Sequence, residues 1–435
     1  MNYKYNYMLM IVAFVAISVS SCKKSFLKEE LNNDPTSLTN ADPKVLLPTA
    51  ISNMAYFYGG DFARMDAMLT QQTTGAGNQW FAMQNYDFVN SDFDNCWNTT
   101  YVTTLNSLKK MGDYSKEKNF YHYEGVSKVL SAFAFSVVVD HWGDAPFSEA
   151  FKAPANFQPK YDAGSAVYGS IITLLNDAEI LLAKTDEGRT PGAEDLLFSG
   201  DIEAWINFSH AIKARLYLHT KDYTLAQSEL LLANGVDVKL NFASPGSGPM
   251  NQFDDQRTGD LEYQNSFLYN EMNAINDLRL YSYVDTASDR LGDWLNTPAQ
   301  PVYFISAMEQ KFIEAEILAR SGDINASNAL TEAVAISYTN IFNDSTGTAN
   351  ALTAYPYNNA DPVANRLKSV MMQKYFAMFF QPESFADWRR TEIPNLTPNS
   401  GTAIPRRYLY PNDEKTTNPN TPSVTLYSPK VFWDN

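Results

Sequence analysis

"WINFSHAIKARLYLHTKDYTLAQSELLLA", Trp205 to Ala233, decides how this chain folds. Trp205, Phe208, Ile212 and Leu216 recur at i, i+3/i+4 spacing, which places them on one face of a helix. The pattern breaks at a tight turn near Lys221 and Asp222, and a second helix follows with small residues available for close contact. The unit is a helix–turn–helix hairpin whose apolar faces need neighbours to cover them.

The same plan recurs along the chain. Val126, Leu130, Phe133 and Val137 form one apolar face, and Val167, Ile171, Leu174, Ala178 and Leu181 form another. Met308, Phe312, Ala315 and Ala319 continue the pattern, followed by Leu367, Met371, Tyr375 and Met378. In "SGDINASNALTEAVAIS", Gly322 ends one helix, Asp323 can cap the next, and alanines allow close helix contact. These hairpins are similar to degenerate tetratricopeptide repeats, without a clean period. The regions 143–163, 184–201, 235–303 and 393–435 interrupt them and are rich in Gly, Pro, Asn, Asp and Ser. Long loops on a rigid scaffold usually carry function. The first helix is expected after "NADP", with Asp42 as cap and Pro43 in the first helical position.

The N-terminus has its own logic. Lys4 precedes the apolar run Met8 to Ile17, which is too short to span a bilayer, since a span needs about 20 residues. Small residues then end at a cysteine, and "VSSC" (Val19 to Cys22) matches the lipobox of bacterial lipoproteins. Residues 1–21 read as a signal peptide, Cys22 as the lipidation site, 22–40 as a polar tether and 41–435 as one domain. Several acyl chains together hold a soluble domain at a membrane far better than one. With Cys22 acylated, Cys96 has no partner for a disulfide within the chain.

The chain carries 33 basic and 49 acidic residues, a net charge of −16. Cutting 1–21 removes Lys4 and no acid, which leaves −17 on 414 residues. That acidity argues against nucleic acid and against a broad face for anionic membranes. Beyond the signal no stretch is expected to cross a membrane. The histidines, His122, His141, His210 and His219, follow no zinc spacing, and no nucleophile elbow, nucleotide loop or Cys–His pair is present. His141, Asp144 and Glu149 read as turn-fixing groups, and Arg389, Arg390, Arg406 and Arg407 as structural cations. "FDDQRTGD" and "NSDFDN" space carboxylates at calcium-like intervals, but neither contains the full loop, so calcium stays open and unsupported, and no cofactor beyond the lipid is expected.

Binding candidates are aromatic. "GNQWFAMQNYDFVNSDFDNCW" (Gly77 to Trp97) interleaves Trp80, Tyr86 and Trp97 with Asn78, Gln79 and Asn85. Rings for stacking beside amides for hydroxyl groups suit a sugar or peptide platform. The competing reading makes Trp80 and Trp97 core anchors. Trp294, within the 235–303 insertion, is the other candidate.

Several segments in order carry a resemblance. They are the lipobox, "NNDPTSLTNADPKVLLPTAISNMAYFYGGD" (Asn32 to Asp61), "DHWGDAPFSEAFK" (Asp140 to Lys152) and "NFSHAIKARLYLH" (Asn207 to His219). "NDLRLYSY" (Asn276 to Tyr283), "FISAMEQKFIEAEILARSGD" (Phe304 to Asp323), "QKYFAMFFQPESFADWRRTEIPNL" (Gln373 to Leu396) and "IPRRYLYPNDEKTTNPN" (Ile404 to Asn420) follow. Together they resemble the SusD/RagB family of nutrient-binding outer-membrane lipoproteins, SusD-like branch. Leu278 stands where that family commonly has proline, and the 235–303 region is shorter than in many relatives. The resemblance implies an all-α scaffold of four tetratricopeptide-like helix pairs with long loops and small β-hairpins. It implies a non-enzymatic, lipid-anchored surface protein that binds an oligosaccharide or peptide and passes it to a SusC-like TonB-dependent outer-membrane barrel. Two other readings compete: a periplasm-facing tetratricopeptide lipoprotein acting as an assembly adaptor, and an all-α lipoprotein glycosidase.

Overall fold

Asp42 caps the first described helix: its carboxylate accepts the Lys44 N–H at 3.0 Å, and Pro43 is the first helical residue. The computed structural model describes residues 42–185, 189–243 and 259–434. The signal peptide, the tether and Cys22 lie outside these residues, as do 244–258 of the insertion. The first helical run is α1 (Pro43–Phe57), which passes through a π-helical turn into α2 (Ala63–Leu69). After β1 (Thr74–Gly75) come α3 (Asn78–Gln84), α4 (Asp94–Asn98), α5 (Asn106–Lys118), α6 (Tyr121–Trp142) and α7 (Gly164–Leu182). The opening hairpin is α8 (Ile202–His219) and α9 (Tyr223–Ala233), turned at Lys221 and capped by Asp222, whose carboxylate accepts the Leu225 N–H at 3.2 Å.

Short strands and further helices follow. β2 (Val238–Leu240) pairs antiparallel with β6 (Val302–Ile305), and β3 (Leu261–Glu262) pairs with β1. Between them lie α10 (Phe267–Ala274), α11 (Leu280–Tyr283) and the hairpin of β4 (Val284–Asp285) and β5 (Arg290–Leu291). Then come α12 (Ala307–Ser321), α13 (Ala326–Phe342), α14 (Thr348–Ala354), α15 (Val363–Ala377), α16 (Glu383–Thr391) and α17 (Asn412–Thr417). The fold is all-α, with consecutive helices packed as tetratricopeptide-like pairs: α6 on α7, α8 on α9, α12 on α13. Of the strand pairs among the described residues, only β4–β5 is a hairpin; the other two join segments far apart in sequence.

The expected apolar faces are buried, except that Leu367 on α15 is half-buried and α7 is shifted in phase. On α7 the core face is Val167, Ile171, Leu175, Ala178 and Leu182, so Leu174 and Leu181 turn partly toward solvent. α7 also has the length and apolarity of a membrane span, contrary to expectation. Its buried face packs on α6, as in a core helix of a folded domain. Alanines do mediate the close contact between α12 and α13: Ala315, Ala319, Ala326, Ala329 and Ala333 share one core cluster. Gly322 ends α12 with φ +74°, and the Asp323 carboxylate accepts the Asn325 N–H just before α13.

Buried charges fix how these pairs meet. Arg215 on α8 donates to both carboxylate oxygens of Glu309 on α12, at 2.8 and 2.7 Å, and to the Phe304 carbonyl of β6. His219, one turn further, pairs with Glu383 of α16 at 2.7 Å and meets Tyr168 of α7. Arg390 of α16 donates to Glu316 of α12 at 2.6 Å and also pairs with Asp387, which Lys374 of α15 meets at 2.7 Å. Arg389 donates to the Asp140 carbonyl, and Arg406 pairs with Asp434, fastening the C-terminal segment. The arginine pairs are structural, as the sequence reading held. Each buried ion is expensive alone and tolerable only with its partners present.

Burial works to lower the His219 pKa, but the Glu383 and Asp140 carboxylates outweigh it and raise it from 6.5 to about 9. Burial opposes ionisation of Glu316, yet the Arg390 and Arg320 guanidinium groups hold its pKa down at about 2. His219 is thus stabilising below its ordinary pKa, and that contribution is lost as pH rises through about 9. Urea midpoints of wild type and His219→Gln should differ most below pH 6.5 and converge as the pH passes 9. Glu316→Ala should lower unfolding free energy by about 3–5 kcal/mol in the same assay near neutral pH, because it strands the buried Arg390.

Candidate functional site

The aromatic–amide segment is locked onto the protein by backbone contacts. Ala76 and Gly77 donate their N–H groups to the Asp260 carbonyl at 2.8 and 3.2 Å, and Thr73 Oγ1 donates to the Glu262 carbonyl at 2.8 Å. Asn78 Nδ2 donates to the Asp260 carboxylate at 2.6 Å. Asp289 Oδ1 in turn accepts the N–H groups of Tyr263 and Gln264, both at 2.9 Å, so β3 is itself held. Gly75 makes the approach possible: a Cβ there would fall 1.9 Å from the Trp80 carbonyl oxygen. α3 therefore sits as a short shelf on β1 and β3.

The helical phase of α3 sorts its side chains. Trp80 (2% exposed) and Met83 point inward, whereas Asn78, Gln79 and Phe81 (60% exposed) point outward. Asn85 turns its amide back to the Phe81 carbonyl at 2.9 Å and so ends the helix. Tyr86 is buried, and its hydroxyl accepts the Asn399 N–H at 3.1 Å; Gln71 Nε2 donates to the Thr397 carbonyl at 2.6 Å. These bonds tie the C-terminal loop to the shelf. Beside it Tyr427 is 41% exposed, and partial burial together with the Asp87 carboxylate pushes its pKa up. Val89 is exposed as well.

Trp97 and Trp294 lie elsewhere. Trp97 (3% exposed) is ringed by Tyr101, Trp142, Tyr161 and Tyr410, with centroids 4.5–6.4 Å away, and donates Nε1 to Glu414 at 3.3 Å. It clamps α17 to α4, a core role. Trp294 packs on Tyr283 at 5.3 Å and donates to the Asn340 carbonyl. The hollow beside it holds about 20 Å³, the size of a water rather than a ligand. Of the six candidates, Asn78 and Gln79 stand outward on the shelf and Trp80, Tyr86 and Trp97 are buried, while Trp294 is half-buried and apart. Phe81 and Tyr427 were missed. Reading α3 as amphipathic, with Trp80 and Met83 inward, would have exposed Phe81.

The carboxylates of "NSDFDN" serve the backbone: Asp92 accepts the Val89 N–H at 2.8 Å and Asp94 the Asn412 N–H at 3.3 Å. Most of "FDDQRTGD" falls outside the described residues. Asp144 and Glu149 likewise hold turn N–H groups, those of Gly164 and Lys160, while His141 pairs with Asp66 at 2.9 Å. Among the described residues no group of three or more His, Cys, Asp or Glu is placed to hold a metal. Cys96 is a buried free thiol, its pKa raised by that burial.

Gly75→Ala should unseat α3, because the clash is with backbone and no side-chain rotation relieves it. A loss of about 1–3 kcal/mol is expected, with faster amide exchange over 78–84 as the local readout.

The chain matches a family model, SusD-like, described as starch-binding and associating with the outer membrane, over residues 35–295 and 288–411. No curated protein matches it. Its fold is similar to a SusD/RagB family protein from Bacteroides thetaiotaomicron, with 23% identity, TM-score 0.74, and 91% of this chain and 99% of that chain covered. A SusD homologue from Bacteroides fragilis shares 20% identity (TM-score 0.73, 91% and 99% covered). A chitin-binding SusD homologue from Flavobacterium johnsoniae shares 16% (TM-score 0.73, 90% and 97% covered). The order of segments, the helix pairs and this match over most of the chain agree: the protein belongs to the SusD-like family.

Proposed function

We propose that this protein is a cell-surface lipoprotein, acylated at Cys22, that captures an oligosaccharide on the α3 shelf and passes it to a SusC-like TonB-dependent barrel. One observation carries the ligand side of this reading. The exposed Phe81 ring shares a short helix, held by backbone clamps, with the exposed Gln79 amide and with Asn78, whose amide nitrogen Asp260 holds. A flat ring takes the apolar face of a sugar, and neighbouring amides take its hydroxyls. Because the shelf is fixed beforehand, binding spends little entropy on ordering it.

The family description, starch-binding, and the chitin-binding relative favour a glycan over a peptide. The described association with the outer membrane fits an anchor at Cys22. Delivery to a barrel follows from the family resemblance, and the reading contains no catalytic step.

Titration calorimetry of the full chain against malto- and chito-oligosaccharides tests capture. Saturable binding to at least one series is expected, and Phe81→Ala should weaken it about tenfold or more, which is about 1.4 kcal/mol. Stability should stay within about 0.5 kcal/mol of wild type, since the ring is exposed. Failure of every glycan alongside binding of peptides would transfer the assignment to peptide. Cys22→Ser should abolish acylation and release the protein from the envelope fraction.

A further inference from the structure

A second hollow lies among α5, α6, α7 and the turn at 147–152, and shares no lining residue with the α3 shelf. It holds about 440 Å³, within the range of small-molecule pockets, roughly 300–1,000 Å³. Its floor is apolar: Leu105, Leu108, Phe135, Phe147, Phe151 and Leu174. Leu174 is the residue that the phase of α7 turned away from the core. Phe135 and Phe147 meet edge to face at 4.7 Å, and Phe151 packs against Tyr101 at 6.1 Å.

The rim is cationic. Lys109, Lys116, Lys128 and Lys152 line it against two acids, Asp113 and Glu124. In a chain with 49 acids and 33 bases, that local balance is reversed. Lys109 pairs with Asp113, and Lys128 reaches Asp177 at 3.5 Å. Lys116 and Lys152 are exposed and make no ion pair within 4 Å among the described residues. Two ammonium groups thus stand at the edge of an apolar basin without a salt-bridge partner, Lys152 feeling the Asp162 carboxylate only at longer range.

The frame is rigid on one side. A Cβ on Gly112 would lie 2.6 Å from Ser127 Oγ, so α5 and α6 touch where glycine alone leaves room, and Ser127 is itself bonded to the Glu124 carbonyl. The lining contains no Asn, Gln, Trp or Tyr, the residues that would read a neutral sugar, and no Arg, which would fork onto a phosphate.

We propose that this hollow binds a small organic carboxylate with an aromatic or branched aliphatic body. The body takes the apolar floor, and the carboxylate stays at the wet rim beside Lys116 and Lys152. An anion at the rim gains Coulomb attraction without being stripped of water, so charge sets preference while apolar contact supplies most of the affinity. The site does not depend on the glycan reading of the shelf.

Calorimetry with phenylacetate on the full chain tests this, with phenylethanol as the uncharged control. Phenylacetate should bind saturably and weaken as salt is added, and phenylethanol should bind several-fold less tightly. Lys116→Glu combined with Lys152→Glu should weaken phenylacetate about tenfold while leaving the melting temperature unchanged, because both side chains are exposed. Ser131→Trp, placed on the hollow's wall, should abolish binding of both compounds. If that variant does not fold, the lysine pair decides. Absence of saturable binding, equal affinity for acid and alcohol, or indifference to the lysine reversals would each overturn the assignment.

Discussion

Arg215 is the interaction on which the rest of this structure turns. It sits on α8, is almost fully buried, and its guanidinium reaches Glu309 of α12, Glu383 of α16 and the Phe304 carbonyl at once. Leaving a donor of a water-stripped guanidinium empty is costly, so these three acceptors narrow where each element can sit relative to α8. His219, one turn along the same helix, extends the constraint to α16 and α7, and Trp433 brings the C-terminal segment onto Asp140 by donating Nε1 at 2.9 Å. Apolar packing alone would hold helix pairs together while tolerating slippage. The paired charges select one register.

That register places the α3 shelf. α2 leads directly into β1 and α3, and α2 is held by Asp66, whose carboxylate meets both His141 at 2.9 Å and Tyr408 at 2.7 Å. A core arrangement of charges is therefore transmitted to a surface helix through a short rigid strand. The shelf itself is made by backbone contacts that cross from 73–78 to 259–262, and by the bonds from Gln71 and Tyr86 to the loop at 397–399. Loops that differ in composition on such a frame could change the ligand without disturbing the core. The Asn276–Tyr283 segment shows the same economy. Leu278 is exposed, while Asp277 and Arg279 bury a paired ion bonded to Tyr338 and Gln373. The turn is thus fixed by charge on either side of Leu278.

The two concave or exposed features divide by chemistry. The shelf offers an aromatic ring and amides, suited to neutral hydroxyl-bearing ligands, while the hollow among α5–α7 offers aliphatic and phenyl floor with ammonium groups above it. An overall acidic surface repels free anions at long range. A local lysine rim therefore matters only at close approach, within roughly a Debye length of 8–10 Å.

The helices, their buried faces and the Asp42, Asp222 and Gly322 boundaries were legible in the sequence, because i, i+3/i+4 periodicity and capping chemistry are local properties. The order of segments likewise identified the family. Misreadings arose where the outcome was non-local. Trp97 stood between stacking ring and core anchor, and Tyr101, Trp142, Tyr161 and Tyr410 close around it as core, while Leu174 looked like core until α6 met α7 one residue out of phase. Sequence by itself determined where the long hairpin helices run and which of their faces must be covered, since water rejects an apolar stripe wherever it lies. The short helices α3, α10, α11 and α17 fall in segments read as loops. Tertiary structure alone decided that Trp97 closes into the core and which lysines gather around a hollow, because both depend on contacts between residues far apart in the chain.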